Sequence, residues 1–389
     1  MRHRIVVLGA GYAGAYAAGQ LARRLHPDDA EITVVTTEPD FVERPRLHQL
    51  AAGQDLRRHP WAELFAGTGI QMRQARVTAV DAEDRYVTVD QGAARLEYDT
   101  LLYALGSTIA ERGVPGVGEH AFHVAGRSAA LRLRRRLDEL GAAGKVLVVG
   151  GNLTAIETAT EIAESRPGLQ VRLATAGEVG GWLDPKAQRH LRRAFDRLGV
   201  RIREHSGVEQ VSAEGAVTAD GTILDSDATV WAAGFAVHPI AAASGLDVDT
   251  HGRIVVDQKM RSVSHPEVYA AGDSAAAFAA NGRALPMSAA AAGDTARRAV
   301  AAIVGELTRR ATSSPALVYR GNCVSLGRAD AILQMITDER SRSWRGRPVT
   351  LYKTGVLSGL VWRIANPTYG RPTRRRRLSS DRSAEAATA

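Results

Sequence analysis

Ile5-Val6-Val7-Leu8-Gly9-Ala10-Gly11-Tyr12-Ala13-Gly14 stands near the start of the sequence, an apolar β-branched run that meets glycines at once. An alanine-rich stretch follows through Leu25. Strand, glycine turn and helix in that order form the context a GxGxxG dinucleotide fingerprint requires. Gly9 permits the tight turn, Gly11 lets backbone approach a pyrophosphate, and Gly14 lets helix and strand pack closely. Tyr12 and Ala13 complete the cradle. The pyrophosphate then rests on the helix N-terminus, where free N–H groups and the dipole favour an anion. The next strand is expected at Ile32 to Val35. Its end carries Thr36, Thr37 and then Glu38, near the place about 20 residues on where a ribose-binding carboxylate stands. Glu38 is the ribose candidate, with an ordinary surface glutamate as the alternative.

The same pattern returns once. A helical stretch, Ser128 to Leu140, leads into Lys145-Val146-Leu147-Val148-Val149-Gly150-Gly151-Asn152-Leu153-Thr154-Ala155-Ile156-Glu157. Gly150 matches the first glycine, Asn152 replaces the second and Ala155 the third, where alanine is an accepted stand-in. Asn152 puts a side chain where bare backbone should meet phosphate. The following strand, Gln170 to Leu173, ends in Ala174-Thr175-Ala176, without the acid that favours NAD or the arginines that favour NADP. Two readings follow: a nucleotide bound in a shifted way, or a second unit kept as scaffold. Farther on, Trp182-Leu183-Asp184-Pro185 opens a helix to Leu198, and Asp220-Gly221 marks a hairpin. The fold class is therefore α/β, with two Rossmann-like units.

The chain has 389 residues, 45% hydrophobic and 24% charged, which fits a globular protein of two or three domains. A net charge of +8 raises a nucleic-acid reading. Lysine occurs only at Lys145, Lys186, Lys259 and Lys353, and the basic excess gathers in Arg371 and Arg374 to Arg377, so a solvated tail is expected rather than a nucleic-acid face. Cys323 is the only cysteine, which excludes an intrachain disulfide, a CxxC redox pair and a cysteine-rich metal site. No metal site is expected, and a reducing cytoplasm suits the composition. The glycines break the N-terminal apolar run too early for a signal peptide. No stretch approaches the roughly 18 apolar residues of a spanning helix.

Three further segments carry a family resemblance. Tyr98-Asp99-Thr100-Leu101-Leu102-Tyr103-Ala104-Leu105-Gly106-Ser107 resembles the strand-ending ATG motif of the two-dinucleotide-domain flavoproteins. Ala228 to Gly234, ATVWAAG, resembles its second copy. Val268-Tyr269-Ala270-Ala271-Gly272-Asp273 resembles the GD motif. From Arg4 to about Leu307 the order is similar to the type II NADH dehydrogenase and ferredoxin-reductase-like branch of the pyridine nucleotide-disulfide oxidoreductases. The cysteine pair of the disulfide-reducing branch is absent.

The resemblance implies FAD, with NAD(P)H as the second nucleotide, and nested domains. An FAD-binding domain spans 1–110 and 236–315 around an NAD(P)H-binding-like domain at 111–235. A small α+β C-terminal domain covers 316–365, and an Arg-rich disordered tail 366–389. FAD contacts are implied at Ala104, Gly106, Gly234, Gly272, Val77 and Asp273, whose carboxylate accepts from ribityl hydroxyls. Phe41-Val42-Glu43-Arg44-Pro45-Arg46-Leu47-His48 resembles the segment along the flavin. Arg44 and Pro45 then face the ring or phosphates, and His48 approaches the acceptor side or is a core histidine. Glu157 matches a helix glutamate facing the nicotinamide, to orient it or relay a proton, against a plain solvent-facing glutamate. Leu285-Pro286-Met287-Ser288 begins a helix to Leu307 with Ser288 as N-cap, aimed at the flavin's pyrimidine side.

The implied activity is hydride transfer from NAD(P)H to FAD and on to a quinone or other small aromatic acceptor. Ala289-Ala290 lacks the glutamine of quinone-reducing relatives. The rivals are an FAD-dependent oxidase or dehydrogenase of an organic metabolite with a degenerate nicotinamide site, and an interaction flavoprotein like the apoptosis-inducing-factor relatives. Val356, Leu357, Leu360 and Val361 form a short apolar cluster interrupted by Gly355 and Gly359, so at most peripheral membrane contact is expected. A homodimer surface is the other use of the C-terminal region.

Overall fold

In the computed structural model, which describes residues 1–312, 316–318, 321–336, 341–366 and 374–379, two five-stranded parallel sheets organise the chain. The first runs in the order Val268–Ala270, Thr100–Tyr103, His3–Leu8, Ala30–Thr36, Gln71–Gln74. Ile5 pairs with Ile32 on one side and Thr100 on the other. Ile5 to Leu8 are buried, as the unbroken apolar run of a strand covered on both faces requires. Helix Tyr12–Arg24 packs against the 20-residue helix Ala289–Thr308. Ser288 caps the latter by accepting from the Ala291 N–H at 3.2 Å.

The second sheet is ordered Arg201–Arg203, Gln170–Ala174, Lys145–Val149, Ala228–Trp231, Ala121–Phe122. Helix Leu153–Ser165 follows its central strand, Lys145–Val149, and helix Pro185–Leu198 starts where Asp184 accepts from the Lys186 and Ala187 N–H groups at 2.9 Å. Asp220-Gly221 forms a hairpin, with Gly221 at φ +77°. The two units are joined by antiparallel strands, Ser107–Ile109 on Phe235–Val237. Entry to and exit from the second unit thus lie side by side next to Gly106.

The C-terminal region straddles both units. Its antiparallel sheet, Gly321–Ser325, Ala331–Ile336 and Ser341–Arg345, puts Val324, Leu326 and Ile332 into the second core. The helix Arg347–Ala365 that follows puts Val361 and Ile364 into the first. Gly355 and Gly359, which interrupt the apolar cluster in sequence, lie inside a helix that is continuous over 19 residues. Each glycine costs about 1 kcal/mol in a helix, and burial of Val349, Val361 and Ile364 offsets that. Among the described residues no helix is long and apolar enough to cross a membrane.

Arg374 to Ser379, inside the stretch expected as a solvated tail, lies against the first unit. Arg376 bridges to the chain at Leu25, with its N–H donating to the Arg24 carbonyl at 2.7 Å. Arg377 pairs with Asp28 at 3.0 Å and Asp29 at 2.8 Å. Disorder is thus corrected for these six residues, because backbone pairing and two carboxylates hold them. Arg371 and 380–389 lie outside the described residues.

Candidate active site

The first glycine turn is built by close backbone contact. A Cβ at Gly9, whose φ is +87°, would lie 2.4 Å from the Ala104 carbonyl oxygen, and one at Gly14 would lie 1.9 Å from the Gly9 oxygen. Neither position has room for a side chain. At Gly11 a Cβ meets nothing within 4 Å, so there the open side faces outward. Gly11 ends in extended backbone at the start of helix Tyr12–Arg24, which has no side-chain cap and no acidic residue in its first turn. Its leading N–H groups are available to an anion. Ala13 packs toward Gly272, whose own N–H donates to Thr295 Oγ1 at 2.9 Å.

Asp273 lies beyond this turn. Ser107 Oγ donates to its Oδ2 at 2.6 Å, Arg44 Nη1 stands 3.6 Å from the same oxygen, and Arg44 Nη2 donates to Ser107 Oγ at 3.0 Å. The guanidinium covers the Phe235 ring at 5.0 Å from the centroid. Gly106 is held by its N–H donating to Ser274 Oγ at 3.0 Å. Uncapped helix start, unfilled space at Gly11 and the Asp273 carboxylate together fit the pyrophosphate and hydroxyl-bearing chain of FAD. Pro45 sits in the turn Arg44–Arg46, and Met287 precedes the cap Ser288.

The other predicted positions lie farther out. Glu38 has its carboxylate 3.9 Å from Arg127 Nη1, and burial raises its pKa against the pull of that arginine. Val77 is itself buried and begins the strand Val77–Asp81 at an irregularity opposite Val89. Gly234, at φ +124°, faces the Arg112 guanidinium.

The second turn repeats the first with one difference. A Cβ at Gly150 would lie 2.5 Å from the Ala232 oxygen, the counterpart of the Gly9 contact with Ala104. Here, however, the third position tolerates the methyl of Ala155, which is fully buried. Asn152 occupies extended backbone at φ −96°, a conformation open to any residue, and its side chain is exposed and caps nothing. Helix Leu153–Ser165 also starts without a side-chain cap or an acidic first turn. The turn therefore fits a nucleotide pyrophosphate, with the Asn152 amide at its lip.

Glu157, one turn into this helix, is buried rather than solvent-facing. It forms an ion pair with Lys353 from helix Arg347–Ala365 and accepts from the Ser325 N–H at 3.0 Å. Lys353 also donates to Ser325 Oγ at 2.8 Å. His48 Nδ1 stands 3.9 Å from Glu157 Oε2, beyond hydrogen-bond reach. Burial alone would raise the Glu157 carboxyl, but Lys353, His48 and the Ser325 N–H together hold it below the usual value. Burial also lowers His48, only partly opposed by Glu157. The group therefore combines a carboxylate, an ammonium and a neutral imidazole.

One segment joins the two clusters, since Arg44 and His48 are four residues apart and reach Asp273 and Glu157 respectively. Lys353 and Ser325 escaped sequence reasoning because both come from the C-terminal region. The available signal was that Lys353 is a rare lysine in an arginine-rich chain. Ser107 and Phe235 were missed because only the pairing of the two connecting strands brings them to Arg44.

Residues 3–296 match the family model described as pyridine nucleotide-disulphide oxidoreductase. An NADH dehydrogenase-like protein of Mycobacterium tuberculosis is 32% identical over 299 residues, covering 70% of this chain and 73% of the relative. A type II NADH:quinone oxidoreductase of Staphylococcus aureus is 26% identical over 362 residues, covering 85% and 89%. The structure of the sulfide:quinone oxidoreductase from Aquifex aeolicus superposes with a TM-score of 0.78 at 20% identity, covering 94% of this chain and 92% of that one, a likeness of fold. With both dinucleotide turns and a family match over most of its length, the chain belongs to the pyridine nucleotide-disulphide oxidoreductase family and is an FAD-dependent oxidoreductase that passes hydride from NAD(P)H to FAD.

Proposed function

We propose that the electrons leave FAD for a quinone, making the protein an NAD(P)H:quinone reductase. The observation that carries this reading is the buried Glu157–Lys353 pair with His48 beside it. Bound FAD supplies the two-electron chemistry, and the protein's part is positioning and charge. A quinone taking two electrons also needs two protons, one from the oxidised NAD(P)H step and one from solvent. Lys353 can donate to a developing quinol oxygen, and Glu157 and Ser325 hold its Nζ in place. Arg44, fixed by Ser107 and Asp273, would place positive charge beside bound FAD. The relatives named as NADH dehydrogenase-like and NADH:quinone oxidoreductases support the same direction of flow.

The helix that brings Lys353 inward turns another face outward. Leu351, Tyr352, Val356 and Trp362 are 41–68% exposed, and Trp344 in the preceding strand is exposed as well. The helix has no acidic residue, while Arg347 and Arg363 frame it. We read this as a peripheral contact with the cytoplasmic surface of a membrane, where apolar quinones dissolve. Pairing with a second copy is the competing use of the face.

The test is anaerobic. NADH-reduced enzyme mixed with a short-chain soluble quinone is expected to reoxidise within one turnover time, far faster than with dioxygen alone. A reduced flavin indifferent to quinone overturns the assignment. Flotation with anionic vesicles checks the membrane contact, which Trp362→Ser with Leu351→Ser should abolish. Protein that stays unbound and elutes as a dimer favours the second copy.

A further inference from the structure

Beside the Glu157–Lys353 pair, two buried polar atoms have no hydrogen-bond partner: Nε2 of His48 and Oε2 of Glu161. Both residues are deeply enclosed, at 4% and 1% exposure. Glu161 follows Glu157 by one helical turn, so the two carboxylates share a face of helix Leu153–Ser165. The segment Leu47 to Gln54 lies along that helix. His48 approaches Glu157, the Gln54 amide donates to Glu161 Oε1, and the Ala52 carbonyl accepts from Ser165 Oγ at 3.2 Å.

Glu157, at 3.9 Å, and Glu161, one turn on along the same helix, are the two carboxylates that act on the imidazole. The charged groups that act on it are Glu157, Lys353, Glu161 and Arg46. Glu161 has a second neighbour toward solvent, because Arg328 Nε donates to its Oε1 at 3.0 Å and the Arg328 side chain is 51% exposed. The Arg328 backbone N–H is tied to Glu164 one turn farther on, at 2.6 Å. Two orphaned atoms with complementary capacity, both inside the protein, are the usual setting of a bridging buried water.

We infer that Glu161 and His48, linked by such a water, form the route by which the solvent proton reaches the Glu157–Lys353 pair. The inference rests on the quinone-reductase reading, in which quinol formation consumes one solvent proton per turnover. A proton arriving past Arg328 and Gln54 is taken by the Glu161 carboxylate. It passes through the water to His48 Nε2, and the Nδ1 proton of the same ring is released toward Glu157. A small ring movement closes the 3.9 Å gap. No electron moves along this route, and the ring is reset for the next transfer by rotating. Burial keeps the imidazole neutral between transfers, as a relay needs.

Glu161→Gln tests this, because glutamine still accepts from Gln54 and Arg328 but cannot carry the proton. Stopped-flow reduction of the flavin by NADH should match wild type. Reoxidation by a soluble quinone should slow by about 10²-fold, the scale of lost general-acid help, with a larger solvent deuterium isotope effect and recovery on adding a small carboxylic acid. Glu164→Gln should leave reoxidation unchanged, and equal slowing there would overturn the relay. Equal reoxidation rates in wild type and Glu161→Gln also overturn it while leaving the reductase reading intact. A wild-type flavin that quinone does not reoxidise overturns both. Should glutamine not be tolerated, Glu161→Asp keeps the acid but withdraws it from His48, and a wild-type rate in that variant is equally fatal.

Discussion

Lys353→Met removes the ammonium from a pair whose side chains are only 11% and 12% exposed. Glu157 keeps the Ser325 N–H but loses the charge that outweighs its burial. Breaking a buried pair from one side costs about 3–5 kcal/mol, so we expect roughly that loss in the urea unfolding of the FAD-loaded variant. Glu157→Gln should cost a similar amount by stranding Lys353. The double variant buries no charge and should lose no more than about 3 kcal/mol, well short of the roughly 6–10 kcal/mol sum of the two singles, so the coupling is at least about 3 kcal/mol, or about 10²-fold in the folding equilibrium. Acidity gives a second check. In wild type the Glu157 carboxyl lies below its ordinary value, so its stabilisation is present at neutral pH and is lost as pH falls through the folded value. In Lys353→Met burial dominates and raises the carboxyl, so stability should instead be lost as pH rises above about 4.3, its unfolded value. Single-variant losses that simply add in the double, with no change in pH dependence, would refute the pair as a unit.

Further outcomes follow from the glycine turns and the histidine. Gly14→Ala drives a methyl to 1.9 Å from the Gly9 oxygen and should yield unstable, colourless protein, while Gly11→Ala meets no protein atom and should fold yet bind FAD weakly; thermal unfolding and flavin content separate the two. Asn152→Gly fits the same extended backbone and should lower KM for NADH with kcat little changed, whereas a raised KM would mean that the amide itself holds the nucleotide. His48 is lowered from 6.5 by burial, so the unfolded chain takes up a proton that the folded chain refuses, and stability should fall as pH drops below about 6.5. His48→Gln should flatten that slope in urea titrations relative to wild type, which retains the lowered His3, His123 and His238 in both proteins.

Much of the fold was legible because its signals are local. Ile5 to Leu8 with Gly9, Lys145 to Val149 with Gly150, and the caps Asp184 and Ser288 each fix an element from neighbouring residues alone. The last helix was not legible, since Gly355 and Gly359 argue against it locally and only burial of Val349, Val361 and Ile364 sustains it. The site divides in the same way. Gly11, Asp273 and Glu157 are marked by motifs, whereas Lys353 and Ser325 reach the same place only through packing of the C-terminal sheet and helix on the second unit. Asn152, which reads as a defect in a fingerprint, stands where the backbone needs no glycine. The arginines at 374–377 read as a solvated run, and the carboxylates of Asp28 and Asp29 that hold Arg377 lie some 350 positions away in sequence.

Electrons enter this protein from a nicotinamide nucleotide at a flavin held by the first glycine turn. Anaerobic titration of the purified yellow protein with NADH, and separately NADPH, measures this directly. Loss of the visible band of oxidised flavin, complete at one equivalent of at least one nucleotide, is the expected result. Flavin that stays oxidised with an excess of both, although dithionite bleaches it, would contradict the account.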